Sequence, residues 1–220
     1  MIERMSLGGT PFIGIVAFST EHATVVRTGI PEGKMETISS VMGSTTIAST
    51  VARTDLAGIF LAGNSNGILI PNILEDFEEE ALRAAFDIDV HTVNTKYTAL
   101  GNLVLANDRG CVISPELAGH KEEISSVLGV EVQEGIIAGF KNVGSVAVAT
   151  NKGCLVHPET SPEKMEWLRE VLKVPVNHST ANRGVGYLGG CMIANSKGVV
   201  VGDISTGPEL GRIDDMLMEE

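Results

Sequence analysis

The chain has 220 residues, of which 43% are apolar, enough for a core that buries about 70% of the unfolded chain's surface. No apolar run approaches the roughly 20 residues that span a bilayer, and the start "MIERMSLGG" lacks the apolar segment of a signal peptide. We therefore expect a cytoplasmic protein with no membrane partner. A net charge of -12 without any Lys/Arg run disfavours direct nucleic-acid binding, so a ribonucleoprotein partner should be met through a basic protein.

Four strings share one form, in which an apolar run is followed by a polar turn ending in glycine and then by a second apolar run. They are "GNSNGILI" (63–70), "ANDRGCVI" (106–113), "ATNKGCLV" (149–156) and "ANSKGVVV" (194–201). Their turn glycines, Gly67, Gly110, Gly153 and Gly198, are 43, 43 and 45 residues apart. Counting back 45 residues from Gly67 reaches His22, in a similar string without the glycine. Such a period predicts five repeated units.

A second glycine lies six residues before the first residue of each turn. It is Gly58, Gly101, Gly144 and Gly189 in the last four units, and the first unit has Ile13 at this position. We expect this glycine to mark the start of the first strand of each unit. The apolar residues that follow it predict a strand and, across the turn, a hairpin.

Each unit continues with a proline, a helical stretch and a short alternating strand. Apolar residues recur at three- and four-residue steps in 35–42, 165–172 and 210–217, the pattern of a helix packed on one side. Ser161 stands before Pro162 as an N-cap candidate. The closing strands are "IDVHTV" (88–93), "VEVQE" (130–134) and "VPVNH" (174–178). The predicted unit is therefore strand, turn, strand, helix, strand.

The fifth unit lacks its closing strand, because the chain ends at Glu220 just after the last helical stretch. In the other units this strand precedes the glycine position by 11 to 13 residues, and eleven residues before Ile13 is Ile2. The segment "MIERMS" should therefore complete the fifth unit. The sequence predicts an α/β fold in which residues 1–220 form one domain, a closed ring of five ββαβ blades that protects its sheet edges and favours a monomer.

Particular strings in these units carry a family resemblance. They are "GNSNGILIPN" (63–72), "TALGNLVLAND" (98–108), "VHPETS" (156–161), "TANRG" (180–184) and "TGPEL" (206–210). With the five-unit ring, they resemble the translation initiation factor six family, which has the pentein fold. The chain has no extended C-terminal tail of the kind found in eukaryotic members, so the resemblance is to the archaeal type.

The resemblance implies a ribosome anti-association factor. Such a protein binds the large ribosomal subunit, prevents its joining to the small subunit, and takes part in late large-subunit biogenesis. It also implies removal by a release GTPase and its helper protein. Separately, we expect no cofactor.

Candidate partner-binding residues follow the glycine of each predicted first strand, since equivalent positions of a ring lie at one end. They are Gly101, Asn102, Ile59, Ser145, Val146 and Gly190, with Gly14 at this position in the first unit. Asn102 has no periodic reason to lie between Gly101 and Leu103, and its amide offers two donors and two acceptor sites. It could cap a local turn. The resemblance instead places 99–102 in the ribosome-binding face, although eukaryotic members often have Arg where this chain has Ile59.

Enzymatic chemistry is the main alternative. Guanidino-modifying enzymes resemble this fold class and use a Cys nucleophile with a His and carboxylates, and the chain has Cys191, His157 and Asp203. However, Cys111 and Cys154 occupy a position where other units have Ile or Val, so we expect cysteines that pack in the core. Cys191 has the same interpretation, in an apolar strand. An assembly scaffold is a third possibility.

Other patterns favour structural roles. "GVGYLG" (184–189) matches a dinucleotide motif, but a strand is predicted after it, where phosphate binding needs a helix. The histidines never occur at three- or four-residue spacing, so we expect no metal site unless distant loops converge. The acidic run "EDFEEE" (75–80) suits the solvated start of a helix. Catalytic, cofactor and metal residues are therefore not assigned.

Overall fold

The computed structural model describes residues 1–86 and 88–218. The strands in these residues are β1 (Ile2–Met5), β2 (Ala17–Ser19), β3 (Ala23–Val26), β4 (Thr45–Ala48), β5 (Ala62–Gly63), β6 (Gly67–Pro71), β7 (Asp89–Val93), β8 (Val104–Ala106), β9 (Cys111–Ile113), β10 (Val132–Glu134), β11 (Ala147–Ala149), β12 (Cys154–Val156), β13 (Val176–His178), β14 (Met192–Ala194) and β15 (Val199–Gly202). Residues 219 and 220, where the chain ends, lie outside the described part.

Helices of two lengths alternate along the chain. The short helices are α1 (Ile13–Val16), α3 (Ala57–Phe60), α5 (Leu100–Leu103), α7 (Val143–Val146) and α9 (Leu188–Cys191). The long helices are α2 (Glu32–Met42), α4 (Asp76–Ala85), α6 (Lys121–Leu128, after a 3₁₀ turn Pro115–His120), α8 (Pro162–Leu172) and α10 (Gly207–Leu217). None of the helices in the described residues is both long enough and apolar enough to cross a membrane.

The strands form five three-stranded sheets with one pairing pattern. In the first sheet β3 pairs antiparallel with β2 and parallel with β4, so that Val25 lies opposite both Phe18 and Ile47. The fifth sheet takes its third strand from the start of the chain. Strand β1 pairs in parallel with β15, with Ile2 opposite Val199, so the first and last units share a sheet.

The prediction that each unit begins with a strand is wrong in its first four residues, which form the short helices. The reason is close packing between units. An added Cβ on Gly58 would overlap the carbonyl oxygen of Gly14, and the same relation continues from unit to unit until Gly14 itself meets Gly189. The contacts between the short helices therefore run in cyclic order. The first unit's glycine is Gly14, and the alignment of Ile13 with this position was shifted by one residue.

The repeated Asn-x-x-Gly turn holds neighbouring units together. In the turn at Asn107, Oδ1 accepts hydrogen bonds from the backbone N–H groups of Arg109 (2.9 Å) and Gly110 (3.0 Å). Its Nδ2 donates to the carbonyl oxygens of Thr150 (3.0 Å) and Leu172 (2.9 Å) in the next unit. Asn64 and Asn195 make the equivalent bonds to their own neighbours. Each copy of the motif is thus an inter-unit joint.

The first unit closes the same turn with different residues. Its N–H to carbonyl bond joins Thr20 to Ala23 at 3.0 Å, so Ala23 takes the glycine position, one residue after the predicted His22. At the other turns glycine is required sterically. A Cβ on Gly110, for example, would overlap the carbonyl oxygen of Val171 at the end of α8.

The predicted helical stripes and core cysteines are confirmed. Ile38, Leu168 and Ile213 are fully buried on α2, α8 and α10, and the Ser161 hydroxyl accepts a hydrogen bond from the N–H of Lys164 at the start of α8. The side chains of all three cysteines are buried. Cys191 is the last residue of α9, whereas the sequence predicted a strand there.

Candidate functional site

The five short helices surround an axial cavity of about 420 Å³. Residues from all five units line it, and they are mostly glycine, apolar or amide residues. The predicted Ile59, Gly101, Asn102, Ser145 and Gly190 all lie on its wall. The structure therefore brings together five residues that span more than half of the sequence.

Two of the predicted positions at this end need correction. Val146 is fully buried and belongs to an apolar cluster between units, because the fourth residue of a one-turn helix faces back into the core. Gly14 is buried in the contact between units, and the first unit places Ile15 on the cavity wall in the position that was expected for Gly14.

Asn102 has a defined orientation across a boundary between units. Its Oδ1 accepts a hydrogen bond from the hydroxyl of Ser145 at 2.9 Å. Within residues 1–86 and 88–218, its Nδ2 makes no hydrogen bond with protein. The side chain therefore caps no turn of its own, contrary to the structural alternative, and its two N–H donors remain available at the cavity.

Several wall residues were missed by the sequence analysis: Phe12, Asn142, Val185 and Tyr187. Tyr187 is 43% exposed, and its ring packs edge-on against Phe140 and His157, with centroids 5.5 and 5.9 Å away. A tyrosine among the glycines of "GVGYLG" was the available signal. That motif leads into the four-residue helix α9, not directly into the predicted strand, and one helical turn makes no phosphate site.

Tight turns between units lie beside the short helices. Four of them are closed by bridges between Leu7 and Thr10, Val51 and Thr54, Ile137 and Phe140, and Ala181 and Val185. All four contain residues with positive φ, a region that favours glycine. The first has Gly8 and Gly9 there, but the second has Ala52 (+53°) and Arg53 (+58°).

Buried carboxylates lie under two of these turns. Glu209 is 4% exposed and accepts hydrogen bonds from the N–H groups of Arg183 (3.2 Å) and Gly184 (2.8 Å) and from the hydroxyl of Thr180 (2.9 Å). Burial by itself raises the pKa of Glu209, but these bonds and those from Thr206 outweigh it and lower the pKa to about 2. The group is therefore ionised near neutral pH.

Glu78 repeats this arrangement in the second unit. It is fully buried and accepts hydrogen bonds from the Thr50 hydroxyl (2.5 Å) and from the backbone N–H groups of Arg53 (2.8 Å) and Glu75 (3.1 Å). Burial acts to raise the pKa of Glu78, yet the hydrogen bonds lower it overall. Periodicity gave no sign of either carboxylate, because a glutamate near a helix start is ordinary in sequence.

The cysteines are far from the state that nucleophilic catalysis needs. Cys191 is fully buried, and burial, partly offset by a hydrogen bond from Asn182, raises the pKa of its thiol to about 12. Burial raises the pKa of the Cys154 thiol to about 12 as well. A reactive thiolate requires a lowered pKa and access to substrate.

The opposite end of the molecule, formed by the Asn-x-x-Gly turns, encloses only about 30 Å³. Three of its cations are hydrogen-bonded to the protein's own backbone. Lys152, Lys197 and Arg109 donate hydrogen bonds to the backbone carbonyls of Met218 (2.9 Å), Gly43 (3.0 Å) and Lys173 (3.0 Å), all at ends of long helices. The end with the short helices is therefore the better candidate for binding a partner.

Comparison with known proteins gives a consistent picture. The eIF-6 family pattern matches residues 2–216. Translation initiation factor 6 of Pyrococcus abyssi is 44% identical over 98% of both chains, and the proteins of that name from Pyrococcus horikoshii and Methanocaldococcus jannaschii are 43% and 40% identical over at least 98% of each chain.

A solved structure of dimethylarginine dimethylaminohydrolase, in an adduct with S-methyl-L-thiocitrulline, resembles the fold. It superimposes with a TM-score of 0.51, covering 76% of this chain and 68% of that chain, at 14% sequence identity. At that identity the likeness concerns the fold alone.

Proposed function

The chain belongs to the eIF-6 family, and we propose that it binds the large ribosomal subunit and sterically prevents its association with the small subunit. A translation initiation factor role follows from relatives named translation initiation factor 6. The observation that carries the binding proposal is the end of the molecule where the predicted residues meet. There Asn102 lines a cavity of about 420 Å³, and among residues 1–86 and 88–218 its Nδ2 has no hydrogen-bond partner, whereas its Oδ1 is bonded to Ser145.

The proposed architecture is a single domain, residues 1–220, closed as a five-bladed pentein propeller. Two observations support it: the cyclic packing of the five glycines through Gly14, and the pairing of β1 with β15. A sheet whose outer strand comes from the other end of the chain leaves little unpaired edge for self-association. We therefore propose a monomer.

Occlusion needs no chemistry. A standard protein interface covers about 800 Å² on each partner, and a rigid protein of this size seated on a joining surface blocks docking by volume alone. We propose that no reaction is catalysed and that no cofactor is used. The buried thiols, with the pKa of Cys191 raised, support this over the alternative of a guanidino-modifying enzyme.

The proposed contact is to a basic ribosomal protein near the subunit interface, with little direct nucleic-acid binding. The net charge of -12 supports such a partner. Two cations at the short-helix end already pair with carboxylates, Arg53 with Glu75 (2.8 Å) and Lys141 with Glu116 (3.6 Å). We also propose a cytoplasmic role in late large-subunit biogenesis, with release by a GTPase and its helper protein.

Sedimentation tests the proposal directly. Purified large subunits centrifuged with the chain should carry it into their fraction, and subunit joining after addition of small subunits should fall as the chain is titrated in. Absence of co-migration would overturn the binding proposal. Turnover of a guanidino substrate that is lost on thiol labelling would establish the enzyme instead.

A further inference from the structure

The third residue of each long helix, or of the 3₁₀ turn before α6, differs according to the inter-unit turn of its unit. These residues are Lys34, Glu78, Leu117, Lys164 and Glu209. Within the described residues, two consecutive non-glycine residues with positive φ occur in two turns, at 52–53 and 182–183. These are the two turns that receive a buried glutamate.

Within the described residues, the two four-residue turns that contain glycine, 7–10 and 137–140, receive no buried carboxylate. The turn with Gly8 and Gly9 belongs to the unit whose third helical residue is Lys34, which donates to the carbonyl oxygen of Ser6 at 2.6 Å. The turn with Gly139 (φ +81°) belongs to the unit with Lys164 in this place. Left-handed backbone is unfavourable for residues with a Cβ, and the carboxylate hydrogen bonds offset that cost where two consecutive residues carry one, whereas the 137–140 turn has a single such residue, Ala138, beside Gly139.

A glycine would make either supported turn more cheaply, but it would carry no side chain. The side chain kept in each case is an arginine. Arg53 is exposed, and its guanidinium pairs with the Glu75 carboxylate and with no other group of residues 1–86 and 88–218. In the part of the chain that the structure describes, the exposed Arg183 makes no side-chain hydrogen bond or ion pair.

We propose that Glu78 and Glu209 are positioning residues that fix these two turns so that Arg53 and Arg183 can donate hydrogen bonds to carbonyl or carboxylate groups of the bound ribosomal protein. The proposal rests on the proposed function, because it treats the short-helix end as the binding face. Holding two long side chains on a fixed backbone lowers the ordering cost of binding. The carboxylates themselves are buried and touch no partner.

A double-mutant cycle on the second unit separates this role from a merely structural one. Glu78→Gln should weaken binding to purified large subunits by about 5- to 20-fold through loss of preorganisation. Arg53→Gly, which keeps a relaxed turn but removes the guanidinium, should weaken it similarly. In the Arg53→Gly background, Glu78→Gln should then have little further effect. Equal losses from Glu78→Gln in both backgrounds would overturn the proposal.

Amide hydrogen exchange reports on the turn without the ribosome. The Arg53 N–H should exchange at least about tenfold faster in Glu78→Gln, and Ala52→Gly in the same chain should restore part of the binding because it relaxes the backbone while Arg53 stays. Unchanged exchange would overturn the positioning role even if the unaltered chain did not bind large subunits, an outcome that removes the proposed function separately.

Lys164→Gln is the matched control, since it changes the same helical position in the unit whose turn contains glycine. It should leave both exchange in the 137–140 turn and binding unchanged. Glu209→Gln repeats the test on Gly184 and Arg183 should the Glu78 variant fail to fold. Wild-type binding by a folded Glu78→Gln and a folded Glu209→Gln protein would overturn the proposal.

Discussion

The two ends of the molecule use the same kinds of polar residue for opposite purposes. At the Asn-x-x-Gly end, the side-chain oxygen and nitrogen of Asn107 are both hydrogen-bonded to backbone groups of the protein. At the short-helix end, the Asn102 side chain bonds, among the described residues, through its Oδ1 alone, to Ser145. One end thus connects neighbouring units, and the other is the end that we propose binds a partner.

This difference teaches that a repeated residue and a unique residue carry different information. The repeated asparagines are explained by contacts that recur in most units. Asn102 occurs once at its position, where other units have Ile15, Ile59, Ser145 and Gly190. Symmetry therefore accounts for the first group, and function is sought where symmetry is broken.

The largest expected effect concerns the strand shared by first and last units, on which both ends depend. Deleting residues 1–6 removes the β1 ladder to β15 and the buried Met5 side chain, at a cost of about 4 to 6 kcal/mol in unfolding free energy. Chemical denaturation would measure it. A truncated chain as stable as the full one would show that the ends are held without this closure.

Removing the hydrogen bonds of an Asn-x-x-Gly turn should lower the stability of the fold and leave binding to large subunits unchanged. Asn107→Ala leaves buried backbone groups of Thr150, Leu172 and its own turn without partners, an expected cost of about 3 to 4 kcal/mol. Affinity for large subunits, measured well below the melting temperature, should be that of the unaltered chain. A selective loss of affinity would move the binding face to this end.

Lowering the pH should reduce the contribution of Glu209 to the free energy of unfolding. Its pKa falls from an ordinary 4.5 to about 2 on folding, so its contribution is complete above pH 5 and is lost as the pH falls from there toward 2. This lowering of the Glu209 pKa corresponds to roughly 3 kcal/mol of unfolding free energy. The stability gap between the natural chain and Glu209→Gln, from urea unfolding at several pH values, should narrow as the pH decreases. A constant gap would contradict the ionised state.

Affinity for large subunits should fall when Asn102 is substituted. Asn102→Asp keeps the side-chain size and removes the free NH₂ donors, leaving a partner acceptor unpaired at a cost of about 1 to 3 kcal/mol, or roughly 5- to 150-fold in affinity. Stability should barely change, because the side chain is half-buried and its Oδ1, which Asp retains, makes the bond with Ser145. Equal affinities by titration against large subunits, at equal melting temperature, would argue for the opposite end.

The smallest effects are expected inside the core, away from either end. Cys111→Val and Cys154→Val are apolar swaps at fully buried positions, and such swaps typically cost less than about 1.5 kcal/mol. Binding should be unchanged in both variants. A folded variant that no longer bound large subunits would show that the thiol has a role beyond packing in the core.

Much of each unit could be predicted because its signals are local. The apolar stripe around Ile38 and the N-cap Ser161 depend on neighbours within a few residues, and both are found as predicted. The wall of the short-helix cavity was predicted in part. Asn102 could be singled out by its broken periodicity, and Tyr187 could have been by its place among the glycines of "GVGYLG". Phe12 could not, since an aromatic residue next to an apolar run resembles a core residue.

The sequence by itself determined the period, the hairpins, the helix faces and the family. The first three follow from residue spacing, and the family follows from short strings that occur in the same order along the chain. The tertiary structure alone decided that each unit starts with a helical turn, that Gly14 and not Ile13 meets Gly189, and that Glu78 supports a turn 25 residues earlier. These outcomes depend on atoms of different units approaching within hydrogen-bonding or van der Waals distance. Local periodicity contains no record of such distances, so they are fixed only when the units pack.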